Sequence, residues 1–181
     1  MTFEEIVRSD PDLMDLLRYC REAALPEWRL VSGCLYQTVW NHLTGRPRGN
    51  GIRDYDLIYF DGADLSWAAE DKIIRDLTGN APPVPLQIRN QARVHLWYER
   101  HFGVPYEPLR SADEALTRYP IVVQAIGVRL EDDGRLDVAA PFGWDDLFTM
   151  TMRPNPGFPH PPTFAAKCAW VRGIWPEATV A

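Results

Sequence analysis

The run Asp54-Tyr55-Asp56-Leu57-Ile58-Tyr59-Phe60 constrains the fold of this chain more than any other stretch. Its residues alternate. Asp54, Asp56 and Ile58 fall on one side of an extended backbone, and Tyr55, Leu57 and Tyr59 fall on the other. Short, and rich in aromatic and β-branched residues, the run reads as a strand whose apolar side needs a core to cover it. The opposite side then presents two carboxylates from positions two apart. Like charges so close repel, which fits a binding site more easily than a scaffold. On spacing alone, two solvated acids at a strand end explain the pair equally well. As a site, Asp54 and Asp56 offer hard oxygen ligands suited to Mg2+ or Mn2+, and phosphoryl and nucleotidyl transfer use such clusters.

The surrounding pattern gives this strand its setting. Ser9-Asp10-Pro11 is a helix start, followed by Leu13, Leu16, Leu17 and Cys20 at helical spacing. A short run at 28–31 leads into the small-residue turn Ser32-Gly33-Cys34. A helix over 36–43 follows, stopped at Gly45, and then a loop at 46–51. A glycine at the turn lets backbone N–H groups approach a phosphate at a helix N-terminus; a plain tight turn needs the same glycine. After the acidic strand, a helix runs from about 64 to 77 with Ala69, Ile73 and Leu77 on one face and Gly79 as its cap. Val84, Leu86 and Ile88 alternate with Pro85, Gln87 and Arg89 as a second strand. Asn90 begins a helix ending at Gly103, and Ser111 with Glu114 has capping-box spacing. A hairpin over 121–138 turns at Asp133-Gly134, and a last helix spans about 164–175. Helices and strands mix without strict alternation, so the expected class is α+β. The expected form is one domain over 1–181, a small mixed sheet with helices on one face. About 1–110 forms its core and about 111–181 a C-terminal hairpin-and-helix elaboration.

Composition narrows the classes of function. Hydrophobic residues make up 46% of the 181 positions, which excludes a disordered chain. The sixteen prolines cluster after residue 80 and near the C-terminus, marking ordered but irregular connections there. A formal charge of -6 disfavours nucleic acid as a partner held by bulk attraction, although Arg46 with Arg48, or Arg89 with Arg93, could form a local basic patch. The N-terminus carries acids where a leader has a basic region, and no apolar run approaches membrane-spanning length. Cys20, Cys34 and Cys168 are odd in number and widely spread, as in core thiols of a reducing cytoplasm.

The order of helix, Gly-small turn, helix, loop and Asp-x-Asp strand resembles the polymerase-beta-type nucleotidyltransferase superfamily. More narrowly, the segments 33–41, 53–61, 89–98, 140–148 and 153–156 resemble an uncharacterised bacterial nucleotidyltransferase-like family. The resemblance implies an enzyme that moves a nucleoside monophosphate from a nucleoside triphosphate to an acceptor. Asp54 and Asp56 would hold Mg2+ or Mn2+ and serve catalysis, Gly33 and Cys34 would meet phosphates through their backbone, and Arg89 or Arg93 would neutralise them. Two departures stand out. The superfamily often carries a third carboxylate on the neighbouring strand, and the position facing the pair here is Gln87; the serine that commonly follows the turn glycine is Cys34. The alternative is a catalytically silent nucleotide-binding or interaction module of the same fold.

Other polar residues have two readings each. Arg89 and Arg93 either clamp a triphosphate by bidentate contacts or belong to a polar run that packs a helix, whereas Asn90 and Gln91 favour the packing role. His95 reads as a hydrogen-bonded structural histidine rather than an acid or base. Arg46 and Arg48, on the loop before the acidic strand, either fold over a nucleotide as a lid or are simply solvated. Asp61, Asp64, Glu70 and Asp71 read as capping and surface charge, and Asp145-Asp146 as a helix start. The seven Trp residues sit in amphipathic patterns and read as mostly core.

Overall fold

The structure, a computed structural model, describes residues 1–158 and 164–181, so Pro159, Pro161 and Pro162 of the C-terminal proline cluster lie outside the described residues. The chain opens with α1 (Phe3–Ser9), a short helix that the sequence reading did not predict. Thr2 and Glu5 close a reciprocal capping box at its start. Asp10 then caps α2 (Pro11–Ala23) through its carboxylate, with Pro11 in the first turn, as the Ser9-Asp10-Pro11 signal predicts. Next come β1 (Arg29–Val31), α3 (Gly33–Leu43), β2 (Tyr55–Tyr59), α4 (Trp67–Thr78) and β3 (Leu86–Asn90). The single helix expected from Asn90 to Gly103 is broken. A 3-10 helix (Gln91–Leu96) capped by Asn90 precedes α5 (Tyr98–Phe102), which ends at Gly103 in the left-handed region. The rest comprises α6 (Ala112–Leu116), a 3-10 turn (Val122–Gln124), β4 (Gly127–Leu130), β5 (Leu136–Ala139), α7 (Asp145–Phe148), β6 (Thr151–Met152), α8 (Phe164–Ile174) and β7 (Thr179–Val180).

Five strands form one mixed sheet in the order β3-β2-β1-β4-β5. The α4 crossover makes β2 and β3 parallel, and the other pairings are antiparallel. The hairpin begins at Gly127, later than expected, because 122–124 coils before β4. The alternation of β2 decides what lies on each side of the sheet. Tyr55, Leu57 and Tyr59 join the main core with Leu30, Ile88 and Val128. Ile58 and Val31 meet a second, smaller cluster built from Leu109, Ala112, Ala115 and Leu116. Helices therefore cover both faces, not one. On the second face α6 covers only part of the sheet, and the remainder is open. The fold is α+β, a mixed sheet with flanking helices.

The C-terminal helix is fixed to this frame by its last residues. Val171 and Trp175 are fully buried. The Trp175 indole N–H donates to Asn41 Oδ1 at 3.1 Å, and the ring sits edge-on to Trp40 at 5.7 Å. Gly51 makes this close approach possible: it has φ +76°, and a Cβ there would lie 2.5 Å from Trp175 Cη2. Gly51→Ala adds left-handed strain to an overpacked indole, so it is expected to lower stability by roughly 2–5 kcal/mol. Urea unfolding of the two proteins checks this, and equal midpoints would contradict it.

Candidate functional site

On the open part of the second sheet face lies a cleft of about 670 Å³. Asp54, Asp56 and Gln87 form part of its lining, together with Ser32, Gly33 and Gln37 from the start of α3. The register explains the grouping. Asp56 pairs laterally with Val31 on one side and Gln87 on the other, so the residue after β1 and the middle of β3 both flank it. Gln87 Nε2 donates to Asp54 Oδ2 at 2.9 Å. Gln87 thus occupies the position facing the pair, as its spacing on the second strand implies, and its amide is committed to one of the two carboxylates.

Asp56 is held away from water. Burial, and next the adjacent Asp54 charge, raise its pKa to about 6, and Lys167 and Arg89 pull it partly back. Its folded pKa lies above the unfolded value, so ionising Asp56 costs stability. The native state binds the extra proton between about pH 4 and 6, and stability falls as pH rises through that window.

The turn before α3 is strained in a way that opens the helix N-terminus. Ser32 occupies the capping position with φ 62° and ψ -120°, and its side chain makes no capping bond. A non-glycine residue there is costly and persists only where its surroundings hold it; the Ser32 N–H donates to Ile126 O at 3.0 Å. The Ser32 carbonyl accepts from Leu35 and Tyr36, whereas the Gly33 and Cys34 N–H groups precede the first intrahelical bonds. Gln37, one turn on, donates to Tyr36 Oη at 3.0 Å, and its buried Oε1 has no hydrogen-bond partner among the described residues. The Cys34 side chain turns inward. It is fully buried, its thiol donates to Val31 O, and burial followed by Asp56 raises its pKa well above normal. Only its backbone can face a ligand. Cys20, Cys34 and Cys168 are all free and buried.

The expected arginines separate. Arg89 is exposed on the same strand face as Gln87 and lines an adjacent groove, reaching Asp56 through its charge. Arg93 points away. It is buried, it ion-pairs with Glu70, and its Nε donates to Leu65 O at 2.8 Å. The phosphate-clamp expectation for Arg93 is therefore corrected, as is the surface role given to Glu70, whose other oxygen accepts from Asn90 N at 2.8 Å. The lid expectation for Arg46 and Arg48 also fails. Arg46 pairs with Glu177 at 2.9 Å, and both arginines line a small pocket at the far end of α3. His95 is not the hydrogen-bonded histidine expected, since its buried Nδ1 has no partner among the described residues. Asp146 does more than start a helix: it is buried and pairs with Arg153 at 3.1 Å, linking two of the family-like segments.

The sequence reading missed the wall contributed by α8. Phe164, Lys167 and Trp170 recur every three residues and so share the helix face that lines the cleft. Lys167 Nζ lies 5.1 Å from the Trp170 ring centroid, and Arg53 Cζ lies 4.3 Å from it. Desolvation lowers the Lys167 pKa, and Asp54 and Asp56 raise it in part. The three-residue spacing in the final helix was the available signal, but nothing local shows which face meets the cleft.

A glycine turn opening a helix, beside an Asp-x-Asp pair at the start of an inner strand of a mixed sheet, is the arrangement of a nucleotidyltransferase-type domain. This chain belongs to the nucleotidyltransferase family, whose model matches residues 18–180. An NMR structure described as revealing a CCA-adding enzyme head domain is 24% identical and has a TM-score of 0.80 over 99% of this chain and 94% of that one. A CCA-adding enzyme complex with CTP (13% identity, TM-score 0.52) covers 85% of this chain and 37% of the enzyme. A complex with ATP (12% identity, TM-score 0.53) covers 100% of this chain and 42% of the enzyme. The chain thus spans about two fifths of these two enzymes, and likeness at such identities shows the fold. No curated protein matches the sequence.

Two outcomes follow from this geometry. Asp56→Asn is expected to stabilise the protein by roughly 1–3 kcal/mol at pH 7.5 and to lose that advantage below about pH 4. Urea unfolding at both pH values checks it, and a gap independent of pH would contradict it. Arg93→Met, which strands Glu70, is expected to cost roughly 3–5 kcal/mol, with part recovered in the double variant with Glu70→Leu.

Proposed function

We propose that this protein transfers a nucleoside monophosphate from a nucleoside triphosphate to an acceptor, using a divalent cation held by Asp54 and Asp56. The observation that carries the reading is the pair itself. Two carboxylates share one cleft, neither forms an ion pair among the described residues, and their repulsion helps to raise Asp56 to about 6. A divalent cation relieves that repulsion. Among the described residues no cluster of three His, Cys, Asp or Glu side chains could hold a metal. The donor set suits Mg2+ or Mn2+, which bind through one or two carboxylates and take further ligands from phosphate and water. Bound there, the ion would neutralise phosphate charge and help the pyrophosphate to leave.

The remaining work falls to the chain's own groups. The Gly33 and Cys34 N–H groups, with the positive end of α3, would meet phosphate oxygens. Gln87 holds one Asp54 oxygen and so fixes how that carboxylate presents the other. Arg89 adds positive charge along the strand face. The CTP and ATP complexes of the fold neighbours support a nucleoside triphosphate as ligand.

Gln87 favours a second reading, a nucleotide-binding module without turnover. An amide cannot accept the acceptor's proton as a third carboxylate would, and this one is already hydrogen-bonded to Asp54. Gln87→Glu tests it: gained metal affinity with newly acquired turnover would favour the silent module for the natural chain.

Calorimetric titration of the four ribonucleoside triphosphates with Mg2+ or Mn2+ tests the leading reading. Asp54→Ala is expected to weaken metal-dependent binding by roughly 10–100-fold while urea unfolding shows an intact fold. A natural chain that binds none of the four would overturn it.

A further inference from the structure

We propose that Lys167 takes the place of a second metal ion. In this arrangement the cleft holds a triphosphate between one divalent cation on Asp54 and Asp56 and the ammonium of Lys167 on the facing helix. The inference rests on the nucleotidyl-transfer reading and adds to it the number of metal ions and the group opposite them.

Ligand supply sets the first limit. A two-ion phosphoryl-transfer site clamps both the attacking and the leaving oxygen, and a single carboxylate pair would leave a second ion held largely by phosphate and water. Here one Asp54 oxygen accepts the Gln87 amide, and no third acidic, histidine or cysteine ligand joins the pair among the described residues. The donor set favours one ion.

A triphosphate still brings several negative charges into a partly desolvated cleft, and a second positive group must meet them. Lys167 fits that need. It lines the same cleft, it is half-buried, and among the described residues it forms no ion pair with Asp54, Asp56 or any other acid. An ammonium half-desolvated with the Trp170 ring beside it and no anion paired to it among the described residues is costly, and an anion that arrives with the ligand would offset that cost. The cleft of about 670 Å³ that Asp54, Asp56 and Lys167 line together has room for phosphate between the two walls.

The placement is also rigid. Lys167 sits one turn before Trp170, whose ring carries Lys167 on it at 5.1 Å and Arg53 at 4.3 Å. Cys168 and Val171 on the same helix are buried, and Trp175 beyond its end is anchored to Asn41. Arg53 precedes Asp54 directly, so the Trp170 ring ties the α8 wall to the acidic strand.

Inorganic tripolyphosphate, which carries the charge without a base, and Mn2+ alone are the probes. Calorimetry on the full chain is expected to show one Mn2+ per natural chain. In Lys167→Met, tripolyphosphate with Mn2+ should bind at least tenfold more weakly, while Mn2+ alone binds at least twofold more tightly because a repelling charge has gone. Lys167→Arg should keep tripolyphosphate affinity within about threefold. Affinities that fall together for both probes would mark a packing defect and overturn the proposal. So would tripolyphosphate binding unchanged in Lys167→Met, or a second Mn2+ on the natural chain. A natural chain that takes up neither probe would overturn the nucleotidyl-transfer reading as well.

Discussion

Strand β2 runs between β1 and β3, and the alternation of its side chains divides the molecule. Tyr55, Leu57 and Tyr59 enter the main core on one side, and Asp56 stands in the cleft on the other with Asp54 just before it. A slip of one residue in either flanking pairing would bury the carboxylates and expose the rings, so the core itself enforces the site's geometry. The parallel pairing with β3 then decides who faces the acids. The Asp56–Gln87 register brings an amide, not a carboxylate, beside them. The chemical character of the cleft is therefore inherited from packing on the far side of the sheet.

The elements close to β2 were legible in the sequence because their signals are local. Period-two alternation marks β2 and β3, Asp10 with Pro11 marks α2, and Gly79 marks the end of α4. Gln87 was found because strand periodicity fixes which residue shares a face. What failed depended on distant partners. Arg93 and Arg89 lie on one polar run, and only the approach of Glu70 from α4 separates the buried ion pair from the exposed guanidinium. Arg46 was assigned to a lid because its loop precedes the acidic strand, yet Glu177, 131 positions away, holds it at the other end of α3. Lys167 and Trp170 reach the cleft only because Trp175 docks on Asn41, and no window of sequence contains that contact. The mixed order of helices and strands gave the α+β class and the resemblance the family, and the structural and family likeness bear both out. The resemblance carried no information on the α8 wall.

Costs that would be avoided in a pure scaffold gather around the cleft. Ser32 holds a left-handed φ without a capping bond, the Gln37 side-chain Oε1 is buried without a partner among the described residues, and Asp56 is charged against its surroundings. Each is destabilising alone, and together they are sustained by the two cores on either face of the sheet. Other buried polar groups are closely paired, as where Asn155 donates to Thr117 O and Tyr119 O and accepts from Gly157, and where Arg29 is held by Asp113 and Asp137, although Thr38 Oγ1, Tyr59 Oη and His95 Nδ1 lack partners among the described residues.

The two walls of the cleft come from opposite ends of the chain, and the bond from Trp175 to Asn41 spans 134 positions. During synthesis the acidic strand and the glycine turn emerge well before the lysine-bearing helix. A nascent chain would therefore display its paired carboxylates with one wall missing, open to stray cations and to water. The closing contact has high sequence separation, which makes it slow to form relative to local helices and hairpins. Competence would then arrive as one late event in the maturation of the chain, when an indole finds its asparagine.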